Sequence, residues 1–395
     1  MKRLIIFLTI VLTVLSFKDS ISQVRVKGFL QSSGYAWENY NQSKRVDYYQ
    51  GLKLWVAPQN HQNLYFNTYL REAYRGDPAE WQEKIYNLYL NWDFADHYRV
   101  RFGRQFLYNG VINGTVDGAL LSAYVTPRLG VKLVAGTEAP FNRELEVKNW
   151  KDGNVLGGYL SYNIAGQQRA EVSYIQKSRD EDKYWQQIGG AVNGFILPKL
   201  TYYARFDYNL LSSAYQMMRG RLMYLESKWT LSAEYNSEKP RVYEDSFFSI
   251  FEIEAYNQLR AAGTYRIGMF DLGLQYLYTK YEEDDNNRLI GTATTRYGTI
   301  GIIYQKGFGG KDIGYFGEVY YEFLPHLTGR LFNSYYNYDR GVTDISEEAL
   351  SFSGGLNYRL NNILDFMAEV QQTNNTYFDN DWRGLFRVTY LFNFK

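Results

Sequence analysis

The sequence predicts an all-β fold: a transmembrane, antiparallel, up-and-down β-barrel of roughly 18 to 22 strands, with short periplasmic turns and longer extracellular loops. Three observations carry that prediction. Apolar and polar residues alternate with period two along most of the chain, aromatic residues abound without a long apolar run, and tight turns alternate with longer polar connections.

The N-terminus reads as an address. Lys2 and Arg3 precede the apolar run 4–17, and Ser20-Ile21-Ser22 places small residues where a signal peptidase cuts. Residues 1–22 are therefore expected to be a secretory signal, leaving 23–395 as a single barrel domain in the outer membrane.

Composition then excludes other classes. The 395 residues include 39 Tyr, 24 Phe and 8 Trp, with a net charge of only +1. So many aromatics and so little net charge exclude a disordered chain. No stretch beyond the leader reaches the roughly 18 apolar residues of a spanning helix. Neutrality offers no basic footprint for nucleic acid. With no Cys, disulfide frameworks, thiolate metal sites and a lipidated cysteine are all ruled out. Tyr and Trp suit strands intrinsically, and they also suit the girdles a barrel needs at its two water–lipid boundaries.

The strands follow from alternation, since successive side chains leave opposite faces of a pleat. In 85–94, Tyr86, Leu88, Leu90, Trp92 and Phe94 share a face opposite Asn87, Tyr89, Asn91 and Asp93. In 200–210, Tyr202, Ala204, Phe206 and Tyr208 oppose Tyr203, Arg205, Asp207 and Asn209. The run 270–281 behaves alike. Tight turns are expected at 94–97, 126–129, 164–167 and 266–269, and long polar connections at 76–83, 137–154, 236–249, 282–292, 341–348 and 373–381. This segmentation gives about 21 runs, whereas a bacterial barrel needs an even number, so 20 is the expected figure. The uncertain stretch is 281–325, where 305–310 and 324–326 both read as tight turns although only one is expected at the periplasmic end.

The C-terminal run 382–394 alternates strictly, with Trp382, Phe386, Val388, Tyr390, Phe392 and Phe394 on one face. A last strand ending in an aromatic resembles the signal read by the barrel-assembly machinery, displaced here by Lys395. Lipid and lipopolysaccharide are the other expected envelope partners.

Taking the apolar face as lipid-facing puts the ionisable groups inside. Arg71, Arg99, Arg101, Arg205, Asp207, Arg219, Arg221, Glu234, Glu318, Glu322, Arg330, Asp365, Glu369, Arg383 and Arg387 fall on that inner face. An Arg or Lys turned to lipid at mid-membrane costs about 2–4 kcal/mol, so the register is informative. Arginines cluster at Arg99/Arg101, Arg219/Arg221 and Arg383/Arg387, and such ladders attract anions in a confined pore. Two readings stay open: a preference for small polar or anionic solutes, among them acidic oligosaccharides, or simple cross-pairing of Arg and Glu along a solvated wall.

The segment 101–118 is more specific. Arg101-Phe102-Gly103-Arg104-Gln105 leads through Gly110 and Gly114 to Asp117-Gly118. This pattern resembles a hairpin of alginate-export-like and related porin-type outer-membrane barrels. The resemblance implies a monomeric, Arg-lined channel for a polar or anionic solute, with Arg104, Gln105 and Asp117 as pore or hairpin positions. Strict alternation from Val100 and Phe102 aims Arg104 at lipid. A bulge at Gly103 that turns Arg104 inward is therefore expected, the alternative being an Arg104 that snorkels to the interface.

Remaining features carry less. The acidic run 282–287 lacks calcium-loop spacing and reads as a solvated loop. The stretch 247–251 is either a greasy constriction, a docking segment or the start of a strand. The longest connection, 137–154, is the candidate for a loop that folds inward. His61, His97 and His326 lie scattered in turns, no triad shares a strand face, and no zinc or phosphate-loop spacing occurs, so no enzyme, metal or cofactor is expected. Alternation beginning near Val24 leaves no room for the plug of an energy-coupled receptor. The expected role is a passive channel, the alternative a non-conducting barrel that binds surface partners through its loops.

Overall fold

The computed structural model describes residues 24–38, 43–61, 63–76, 79–164, 167–239, 255–308, 310–339, 346–376 and 380–394. The proposed leader 1–22, the stretch 247–251 and Lys395 lie outside them. The described residues form twenty-two strands, numbered β1 to β22 in chain order, and each pairs antiparallel with the next. The circle closes where β1 (Val24–Glu38) pairs with β22 (Asp381–Phe394), from Val26↔Phe394 to Ala36↔Gly384. Closure leaves no sheet edge, which is the condition for a sheet to stand in hydrocarbon.

The strand number lies within the expected range but is not the expected 20. The stretch 282–292, taken from sequence as a loop, is mostly strand: β16 spans Asp285–Thr295, and a turn at Arg296 and Tyr297 leads into β17 (Gly298–Gly307). Arg296 and Tyr297 look like strand residues, which hid that turn. The two ambiguous turns therefore lie at opposite ends of the barrel, both tight. The stretch 76–83 is likewise not the long connection its polar residues suggest. Strand β3 (Leu64–Gly76) runs almost directly into β4 (Ala79–Phe94).

Alternation sorts the wall as the sequence requires. Leu90, Phe102, Leu121, Leu133, Leu160, Val172 and Leu222 stand exposed on the outer face, with no packing partner but lipid. Aromatic pairs mark both rims. At the short-turn end Phe94 stacks on Tyr98 with ring centres 5.5 Å apart, Tyr224 lies 5.1 Å from Trp229, and Tyr321 lies 5.1 Å from Phe323. At the opposite end Tyr48, Tyr74 and Trp81 form a chain of rings at 6.4 and 5.1 Å. Two aromatic belts around an apolar band are what a barrel in a bilayer requires.

Candidate functional site

A barrel this wide has more interior than its own side chains fill. Part of that interior is occupied by an element the sequence reading placed in the wall. Strand β5 (Tyr98–Asn109) pairs with β4 only as far as Leu88↔Arg104. Its hairpin partner β6 (Ile112–Thr126) pairs with β7 (Leu129–Glu138) only from Val116↔Glu138 onward. Residues 105–115 therefore pair with each other and with neither neighbour.

The freed hairpin crosses the inner face of the wall. Ser173 Oγ in β9 (Gln168–Arg179) accepts from the Val111 N–H at 2.9 Å. Arg205 in β11 (Leu200–Asn209) donates to the Gly110 carbonyl at 3.0 Å. Lys132 Nζ donates to Asn109 Oδ1 at 2.5 Å. Beneath the tip, Leu107, Val111, Ile112, Val116, Leu120, Val134, Val155, Tyr159, Ile175 and Trp185 form a buried apolar cluster on the lumen side of the wall. The described residues thus contain an apolar core inside the cylinder.

Glycines allow the departure. Gly103 has φ +121° and Gly114 φ +139°, values that L side chains rarely adopt. A Cβ on Gly103 would stand 2.2 Å from the Leu88 carbonyl oxygen. The bulge expected at Gly103 does not exist, because pairing runs unbroken through Leu90↔Phe102, Tyr89↔Gly103 and Leu88↔Arg104. Gly103 acts instead as the hinge where β5 leaves β4.

Arg104, Gln105 and Asp117 are therefore not exposed to lumen water. Their exposures are 4%, 0% and 9%. Arg104 grips Asp117 with two parallel bonds, Nε to Oδ1 and Nη2 to Oδ2, both 2.7 Å. It also donates to the carbonyls of Arg143, Glu144 and Glu146 at 3.3, 2.6 and 2.7 Å. Within the connection 137–154, the candidate for the inward loop, the carbonyls of 143–146 clamp the hairpin's base. The Arg143 carbonyl accepts from the Ile85 N–H at 2.7 Å, just past the point where β4 and β5 part.

The other sequence-derived residues share the lumen face by register. Arg71 lies over the Tyr49 ring and Arg101 over the Tyr89 ring, at 4.3 and 4.5 Å. Arg99 pairs with Asp93 at 2.5 Å, Arg205 with Asp207 at 2.8 Å and Arg383 with Asp381 at 2.7 Å. Asp207 is wholly buried beneath the hairpin and, like Arg104, does not meet lumen water. Arg219 donates to Asn236 at 3.2 Å, and Arg221 faces Glu234 across the ladder. Arg330 pairs with Glu318 and lies 3.6 Å from Glu369, while Asp365 lies 3.7 Å from Arg359. Glu322 is near the short-turn rim, where it accepts from the His326 N–H at 3.3 Å. Arg387 has a buried Nε with no hydrogen-bond partner.

Sequence reasoning missed Lys132, Tyr159 and Arg169. With Arg99 and Arg101 they line a recess of about 460 Å³ that runs from the short-turn rim up to Phe106, Leu107 and Asn109 of the hairpin. Lys132 and Arg169 fall at inner-face positions, so alternation alone would have found them.

No family model and no curated protein matches the chain. Solved structures of similar fold include the translocation pore of the P pilus usher PapC, at 9% identity and a TM-score of 0.52, covering 94% of this chain and 99% of that one. Looser likenesses include OccAB4 of Acinetobacter baumannii (10% identity, TM-score 0.44, 94% of this chain and 99% of that one) and a BenF-like porin of Pseudomonas fluorescens (9%, 0.44, 94% and 98%). The usher likeness speaks for the fold alone. Closed ladder, apolar band and aromatic belts make this chain an outer-membrane β-barrel.

Proposed function

We propose that the chain is a passive outer-membrane channel for small polar and anionic solutes, narrowed by the 105–115 hairpin. The observation that carries this reading is the lumen wall. Its interior positions bear arginines on many strands, and several, among them Arg71, Arg101 and Arg387, have no carboxylate partner among the described residues. A cationic wall in a confined, weakly screened space raises the local concentration of anions. The finer reading has two supports: the 101–118 sequence pattern for an alginate-export-like architecture, and the arginine-bearing wall for acidic oligosaccharides as solutes. Assembly through β22 and contact with lipopolysaccharide are part of the same proposal, supported by the alternating aromatic C-terminus and the girdled wall. Purified protein added to a planar bilayer is expected to give stepwise current increments. A bilayer that stays silent despite folded, inserted barrel would overturn the channel reading and favour a surface-binding role for the loops.

A further inference from the structure

The recess beneath the hairpin is more than a stretch of pore wall. Its four cations differ in what they have left to offer. Arg99 is engaged by Asp93 at 2.5 Å and Arg169 by Glu171 at 2.7 Å. Arg101 and Lys132 have no carboxylate partner among the described residues. Arg101 rests on Tyr89, with its Nε buried and without a hydrogen-bond acceptor. Lys132 is held by neutral groups, the Asn109 amide of the hairpin and the Tyr159 ring 5.3 Å away. The ladder sets Arg99 opposite Lys132 through Ser122, and Arg101 stands two residues further along its strand, so the backbones carrying Arg101 and Lys132 are roughly 12 Å apart, within the combined reach of their long side chains.

Lys132 gives one of its three ammonium donors to Asn109, and Arg101 lines the recess with no carboxylate beside it. A carboxylate, with two oxygens and several lone pairs, is the group both can take. The rest of the lining includes the rings of Tyr98, Phe106, Tyr124 and Tyr159, with Asp96 and His97 toward the short-turn rim. A volume of about 460 Å³ lies at the small end for ligand pockets.

We propose that this recess is a binding subsite for a ring-sized organic carboxylate, gripped by Arg101 and Lys132 and roofed by the inward hairpin. The inference deepens the channel reading and rests on it for its biological role, but binding itself is measurable without conduction. Galacturonate is the probe and galactose its uncharged counterpart, titrated calorimetrically into the detergent-purified full chain. Galacturonate binds saturably at one site per barrel, and galactose does not. Arg101→Gln and Lys132→Gln each weaken binding by about tenfold or more, the loss expected for one charged hydrogen bond. Arg260→Gln, also on the lumen wall but bonded to Gln275 outside the recess, leaves binding unchanged. Heat-dependent gel mobility confirms that each variant is folded. No saturable binding, equal binding of galactose, or an equal loss in Arg260→Gln would overturn the subsite. A conducting channel that fails to bind galacturonate removes the subsite alone. A silent barrel that still binds it removes the channel alone.

Discussion

Arg104 shows how one side chain holds a constriction in place. Its guanidinium satisfies Asp117 bidentately and takes three carbonyls of the covering segment, all in a nearly dry site. The planar fork is what makes this possible, and a lysine cannot reproduce it. Arg104→Gln leaves Asp117 buried without its charge partner, and the expected cost is about 3–5 kcal/mol. The double variant Arg104→Met/Asp117→Leu recovers part of that loss, though the three carbonyls remain orphaned. Heat-dependent mobility of the purified barrels ranks the three proteins, and a single variant as stable as the parent would contradict the clamp. The hinge glycines make a paired prediction. Both carry positive φ, but only Gly103 has backbone against its missing Cβ, while Gly114 has nothing within 4 Å. Gly103→Ala is therefore more damaging than Gly114→Ala, whose cost is confined to strain of about 1–3 kcal/mol.

At the scale of the element, the question is whether the hairpin moves. Leu107, Val111 and Ile112 are each 2–3% exposed, and burying such a side chain stabilises by about 1.5–3 kcal/mol. Releasing all three from the inner wall costs more than the hairpin's few hydrogen bonds alone would suggest. The expected behaviour is therefore that of a fixed element seated on the wall, not a gate. Replacing residues 106–114 by a short glycine turn raises single-channel conductance by about twofold or more, because the open lumen exceeds what wall side chains fill. The parent channel shows no slow closure that this deletion abolishes; if it does, the hairpin is mobile. The sequence made the glycines and the Arg104–Asp117 spacing visible, and even the parity conflict at Arg104. It did not make the solution visible. A local rule offers bulge or snorkel, whereas the chain resolved the conflict by lifting a whole hairpin off the wall and burying Leu107 in one cluster with Ile175, residues 68 apart in sequence. Long-range contact of that kind leaves no period in the local pattern.

For the whole molecule, the legible part was the cylinder. Alternation fixed which side chains of β11, β15 (Phe270–Lys280) and β22 face lipid, and the observed ladder keeps those faces. The strand count was not legible, because the two turn residues Arg296 and Tyr297 are themselves strand formers and the glycine beside them, Gly298, already belongs to β17. Closure through β1 and β22 places Phe392 and Phe394 in the outer wall beside Gly28 and Val26. Phe394→Ala is expected to lower the yield of heat-resistant barrel in the outer membrane, read by mobility on a detergent gel of membrane fractions; unchanged yield would detach the terminal aromatic from assembly.

A water-filled, cation-lined lumen is what the proposed channel requires. Its most direct test is the reversal potential of the purified protein in a planar bilayer held across a potassium chloride gradient. The prediction is a potential of the sign set by chloride, shrinking toward zero in an Arg71→Gln/Arg101→Gln/Arg387→Gln variant. A potential of the sign set by potassium, in the parent protein, would contradict it.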